Sequence, residues 1–285
     1  MDRNRNTALS ICAAVTAFIS ACIGFFYTFG GEMRTVNNIY GQAVTLLGDG
    51  IYANDSLMKA GAGKGTDLVV IVLSILLVCV VSVLRRKKYA PFVRCGLLSL
   101  ILYASACLAM GSSFNRLFLL YVLQFGFALF AFLLSMSELL KAKSFADDIH
   151  AKRLIGTAVF LIISACSTLV WLPFIIPAVL SGEPMEIIDV YTTEPAFVID
   201  LAVILPSVMF CGIGLIKKIP TAYQAAPVFL AFLTGVGMCV VSQIVVQTSL
   251  GIVINPGELF GLVVSFVMLG AVSLVLNIKL LRFAV

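Results

Sequence analysis

The chain is poor in the residues that catalysis and soluble folding depend on. It has a single histidine, a single tryptophan and only 12% charged residues over 285 positions. His150 lies in a polar stretch beside Asp147 and Asp148, so no histidine cluster exists for a metal hydrolase. No Ser-His arrangement, phosphate-cradling loop or dinucleotide fingerprint occurs. An intramembrane enzyme would have to rest on Asp200 with Asp67, so catalysis is a remote reading, and no cofactor or metal is expected. Cysteine is present without a pattern. Positions 12, 22, 79, 95, 107, 166, 211 and 239 all fall within or at the edge of apolar runs, and none forms a CxxC pair. They read as small packing residues. The basic residues sit in short clusters with no interleaved aromatics, so no nucleic-acid partner is expected.

What the chain has in abundance is long apolar sequence. The hydrophobic fraction is 61% and the mean hydropathy +1.10, far outside the soluble range. Residues 8–30, 67–84, 92–110, 117–140, 154–180, 196–216, 225–248 and 258–278 reach or approach the ~20 residues that span a bilayer. Runs such as Leu68 to Leu84 lack the alternation of barrel strands. The expected fold class is therefore an all-α membrane protein with eight transmembrane helices and the lipid bilayer as its first partner. The run from Ala8 to Gly30 is longer than a signal-peptide core and lacks a small-x-small cleavage pattern, so a retained first span is expected.

Charge placement gives an orientation. With the N-terminus cytoplasmic, Arg3, Arg5, Arg85, Arg86, Lys87, Lys88 and Arg94 fall inside. So do Lys141, Lys143, Lys152, Arg153, Lys217, Lys218, Lys279 and Arg282, making 15 of the 19 basic residues. Both termini are then cytoplasmic. The outer side keeps Arg34, Lys59, Lys64 and Arg116.

Short matches recur in order. Ile19-Ser20-Ala21-Cys22 returns as Ile163-Ser164-Ala165-Cys166, and Asp67-Leu68 through Ser74 returns as Asp200-Leu201 through Ser207. A weaker pair is Asn115-Arg116-Leu117-Phe118 against the stretch from Asn255 to Phe260. These predict a tandem four-plus-four repeat, residues 1–150 and 151–285. Both halves insert the same way round, related by a pseudo-two-fold along the membrane normal. Two outer loops are long. Residues 31–66 include a segment near Val36 to Leu47 read as an interfacial helix and a Gly/Ala/Lys stretch from Ala60 to Gly65 read as loop. Residues 181–195 carry Glu183, Glu186, Asp189 and Glu194, an acidic outer surface.

Polar side chains inside a span need a reason. The candidate substrate-binding set is Asp200, Asp67, Asn115, Arg116, Tyr121, Gln124, Gln243 and Gln247, which the orientation puts in the outer half. Gln243 and Gln247 share a helix face, and Tyr103 lies midway along the third span. The plainer readings stand beside these. Glu258, Glu194 and Asp67 suit helix starts. Asp200 is too deep to cap and either pairs with Arg116 or serves a site. Glu138 suits a pair with Lys141 or Lys143. Pro173, Pro177 and Pro206 read as kinks tolerated for packing.

Gly65-Thr66-Asp67-Leu68-Val69, the segment Phe114 to Val122, and Tyr191-Thr192-Thr193 followed by Val198-Ile199-Asp200-Leu201 together resemble a group of uncharacterised eight-span bacterial membrane proteins. The resemblance implies a bacterial inner (plasma) membrane and links Asp67, Asn115, Tyr121 and Asp200 as one set. It brings no established activity. The leading functional expectation is a small-molecule transporter or ligand-binding membrane protein for a small polar or cationic solute. The alternative is a structural or sensory membrane subunit.

Overall fold

Leucine, valine, alanine and phenylalanine runs bounded by Pro, Gly and basic clusters wind into helices along almost the whole chain. The computed structural model describes residues 2–141, 154–255, 257 and 259–282. The first helices are α1 (Asp2–Phe26), α2 (Leu57–Ser82), α3 (Ala90–Gly111) and α4 (Phe118–Lys141). Then come α5 (Ile155–Ser181), α6 (Pro195–Ile216) and α7 (Pro220–Ser249). These seven are long and apolar enough to cross a membrane. The eighth expected span appears as α8 (Ser265–Leu281), a shorter apolar helix of 17 residues wound onto a π-helical turn, Leu259–Val264. The boundary expected at residue 150, His150 and Glu258 lie outside the described residues.

In the first half α1 packs on α2 and α4, and α3 packs on α4 and α2. Fully buried Ala13, Ala17 and Ala21, spaced four apart, give α1 a flat face for this contact. In the second half α5 packs chiefly on α6, α6 on α7, and α7 on α8. The halves meet where α7 lies against α2 and α3, and where α3 touches the start of α6. Small residues set these distances. A Cβ on Gly96 would come 2.4 Å from the Cβ of Ala231, and one on Gly237 would come 2.9 Å from the Cα of Gly270.

Three local expectations are corrected. The segment expected as an interfacial helix is a β-hairpin, β1 (Arg34–Asn37) with β2 (Ala43–Leu46), in which Val36 faces Val44 and Thr35 faces Thr45. β-Branched residues favour the strand, and the Asn38 carboxamide oxygen closes the turn by accepting the N–H groups of Tyr40 and Gln42, each at 2.9 Å. The second span starts ten residues earlier than expected, at Leu57, with Ser56 accepting the Lys59 N–H at 3.2 Å as its N-cap. The stretch from Ala60 to Gly65 is therefore helix. Its glycines serve close contact: a Cβ on Gly65 would sit 2.4 Å from the Cα of Gln243. Lastly, Glu138 pairs with Arg94 of α3 at 2.7 Å rather than with Lys141.

α5 and α6 are interrupted. In α5 the turn Thr168–Trp171 tightens to 3-10 geometry just before Pro173. In α6 the turn Asp200–Ile204 widens to a π-helix, with the Leu205 N–H reaching back to the Asp200 carbonyl. Pro206 follows directly and has no N–H to offer, so the wide turn absorbs the break.

Candidate functional site

The early start of α2 shapes one end of the bundle, the end expected to face outward. The turn Leu47–Ser56 folds over the bundle and sends Tyr52 inward, where its hydroxyl donates to the Asp67 carboxylate at 2.8 Å. Asp67 is 1% exposed and nearly three turns into α2, which removes the helix-start reading. Gly24 of α1 makes room for it: a Cβ there would fall 2.2 Å from Asp67 Oδ2. Burial pushes the Tyr52 hydroxyl well above its usual pKa, with Asp67, Tyr121 and Asp55 adding to the effect. Tyr121 of α4 and the adjacent Asn115 thus share this neighbourhood. Asn115 also closes the start of α4, its carboxamide oxygen accepting the Leu117 N–H at 2.9 Å.

A second layer ties this turn to the loop between α5 and α6. Asp55 is buried and accepts from the Tyr191 hydroxyl at 2.7 Å and the Ser113 N–H at 2.8 Å. Ser56 donates to Asp189 at 2.5 Å, and the Asn38 amide donates to the Asp189 carbonyl at 2.6 Å. Lys59 pairs with Glu194 at 2.5 Å and lies 5.3 Å from the centre of the Tyr191 ring. Burial raises the pKa of Asp55 and of Asp189, partly offset by these donors. So two of the four acids expected on the outer surface turn inward. Glu194 does not cap α6 with its side chain.

Asp200 keeps other company. It is 9% exposed and accepts the Trp171 Nε1–H at 2.8 Å; Tyr103 of α3 faces the same carboxyl. Arg116, its expected partner, is exposed at the start of α4. Trp171 stacks on Phe197, with ring centres 4.4 Å apart and planes 20° apart. Phe197 is part of the wall of an open cleft of about 660 Å³. The end of α5 (Ile175, Ala178, Val179, Gly182), the loop through Glu183, Met185 and Ile188, the start of α6 from Thr192 to Val198, and Tyr40 of the hairpin complete that wall. A cleft, an aromatic pair and a buried acid are therefore joined contact by contact.

The three glutamines bind helices to one another. Gln124 accepts from Ser20 of α1 at 2.5 Å and donates to Ser105 of α3 at 2.9 Å. Gln243 donates to Thr66 at 2.8 Å, and Gln247 to the Met58 carbonyl at 3.1 Å, both across the α2–α7 contact. The structure therefore gathers Asp67, Asn115 and Tyr121 in one place and Gln243 with Gln247 in another. Asp200, Gln124 and Arg116 stand apart, and none of the eight lines the cleft. Sequence reasoning passed over Tyr52, Asp55, Tyr191 and Trp171. A lone tryptophan two residues before a proline in an apolar run was the one signal for the last.

No protein-family model matches the chain, and no curated protein and no solved structure is similar enough to match it.

Proposed function

We propose that the chain is a polytopic inner-membrane protein that takes a small polar or cationic solute at its outer side, as a transporter or ligand-binding protein. The observation that carries this reading is the run of contacts from the cleft through Phe197 and Trp171 to Asp200. A carboxyl within a span and without a cationic partner among the described residues is costly and is kept for a use. It sits on a π turn, and interrupted helices are where membrane transporters build sites. The glutamine contacts favour the second reading, a structural or sensory subunit, within the first half through Gln124 and at the α2–α7 contact through Gln243 and Gln247.

The wider topology belongs to the same proposal: eight spans, both ends cytoplasmic, and four-plus-four halves divided near residue 150. Helix neighbours support it, because α1–α2, α2–α3 and α3–α4 have counterparts in α5–α6, α6–α7 and α7–α8. The α2–α7 contact is likewise answered by α3–α6, as a two-fold between α3 and α7 requires. In a cysteine-free background, single cysteines at positions 113 and 185 should label from outside and at 88 and 219 from inside. One reversal would sink the orientation.

The functional test uses Trp171, the only tryptophan. Purified protein in dodecyl maltoside is titrated with small cations, zwitterions, neutral sugars and anions while tryptophan emission is read. At least one class should give a saturable change that Asp200→Asn alters. No response from any class hands the reading to the structural subunit.

A further inference from the structure

We propose that the outer cleft takes an amphipathic ammonium compound, its cationic head at Glu183 and its apolar tail along Val179 and Val198. This deepens the ligand-binding reading above and rests on it. The charge argument comes first. Glu183 and Glu194 are the charged residues among those lining the cleft, and no Lys or Arg among the described residues lines it. Glu194 is already held by Lys59 at both carboxylate oxygens, which leaves Glu183 as the acid open to a ligand. Glu183 is exposed and has no ion pair among the described residues. The cleft also receives the C-terminal end of α5, capped by Gly182 at φ 75°, where unpaired carbonyls favour a cation.

The protein's own side chains supply the precedent for the head group. The Lys59 ammonium is held between the Glu194 carboxylate at 2.5 Å and the face of Tyr191 at 5.3 Å. A carboxylate beside an aromatic face is how an ammonium is held once partly removed from water. The argument for a tail is the wall itself. Val179 is 73% exposed and Val198 58% exposed, and both line the cleft. They continue into Ile176 and Leu180, exposed apolar residues beside Val179 on α5, which the proposed span turns to lipid. A chain lying there keeps its head at Glu183 and its tail in the bilayer, so the compound arrives from the membrane rather than from water.

Trp171 behind Phe197 reads occupancy directly. In dodecyl maltoside, decyltrimethylammonium should change its emission saturably, and tetramethylammonium should need at least tenfold more. Glu183→Gln, which removes no hydrogen bond of that side chain to another residue, should weaken the response about threefold to fivefold. Glu183→Lys should weaken it further. An equal response to decanol, or one indifferent to both substitutions, overturns the ammonium head. An equal response to tetramethylammonium overturns the tail. A response confined to sugars or anions overturns this inference while leaving a ligand-binding protein. Silence from every probe, with Asp200→Asn itself shifting the emission to show that the reporter works, overturns both.

Discussion

Among the described residues the first four helices close into a ring and the last four do not. α4 returns against α1, and the contact is fastened at two depths, by Gln124 between Ser20 and Ser105 and by Ser135 donating to Asn6 at 3.1 Å. In the second half α5 packs chiefly on α6 and α8 chiefly on α7. α5 and α6 are interrupted within their length, and a π turn leads into α8. A backbone with continuous i to i−4 bonds and buried amide contacts has one low-energy arrangement. One with 3-10 and π turns beside prolines can trade bonds at small cost. The first half has the build of a frame; under the proposed ligand-binding function the second is the part that responds. The tryptophan–aspartate contact lies in the second half, and so does the cleft apart from Tyr40 of the hairpin.

The largest test of this contrast is steric. Gly65→Val forces a side chain against the backbone of α7, and overpacking of this kind costs about 3 kcal/mol. Thermal unfolding in detergent should fall sharply. Gly156→Ala on α5 meets nothing within 4 Å and should hold or slightly raise stability. Equal losses from the two changes would remove the distinction between frame and open half.

Next is the polar fastening. Gln124→Leu leaves the hydroxyls of Ser20 and Ser105 without their shared partner, at a cost of about 1–2 kcal/mol. Trp171→Phe keeps an aromatic ring for Phe197 and leaves Tyr103 as the remaining donor to Asp200, so its cost should stay at about 1 kcal/mol. If the tryptophan change proves the more damaging in an unfolding assay, the second half is the frame instead.

The spans themselves were legible because apolar length is a property of single segments. Seven of the expected runs appear as helices long and apolar enough to cross a membrane. What could not be read was whatever depends on a partner remote in sequence. The Gly/Ala stretch from Ala60 to Gly65 looks like loop until α7 is present to need it small. Asp67 looks like a helix-start acid until Ser56, eleven residues earlier, takes the cap. The polar candidates were found by type but not by company. Depth along a helix gathers residues into a layer, while rotation about the helix decides which partner each one meets.

A smaller effect is expected at Asp200. Asparagine preserves the shape and, with its carboxamide oxygen toward Trp171, the hydrogen bond, so Asp200→Asn should shift stability by no more than about 0.5 kcal/mol. Its emission response to a bound cation should change all the same. A variant that unfolds would make Asp200 a structural acid.

The finest test sets two aspartates of the outer cap against each other by pH. Asp55 is buried, and its pKa is raised by that burial. Asp49 is held well below the usual carboxylate range, first by the Thr28 hydroxyl and then by the N–H groups of Phe29, Gly31 and Gly50. A raised folded pKa means that the cost of burying the charge is present at neutral pH. That cost is relieved as pH falls through the raised value towards the ordinary one. A lowered folded pKa means stability that is present above the ordinary value and lost as pH falls towards the depressed one. Amide exchange, corrected for its intrinsic pH dependence, should therefore slow at Leu47 and Gly48, which donate to the Asp55 and Ala53 carbonyls, as the solution is acidified from neutral. The Phe29 and Gly30 amides, which donate to Asp49 at 2.8 and 3.1 Å, should hold over that interval and open only below the ordinary carboxylate range. If both sets open together between neutral pH and about pH 5, the burial of Asp55 does not govern the cap, and the two aspartates act as one solvated surface.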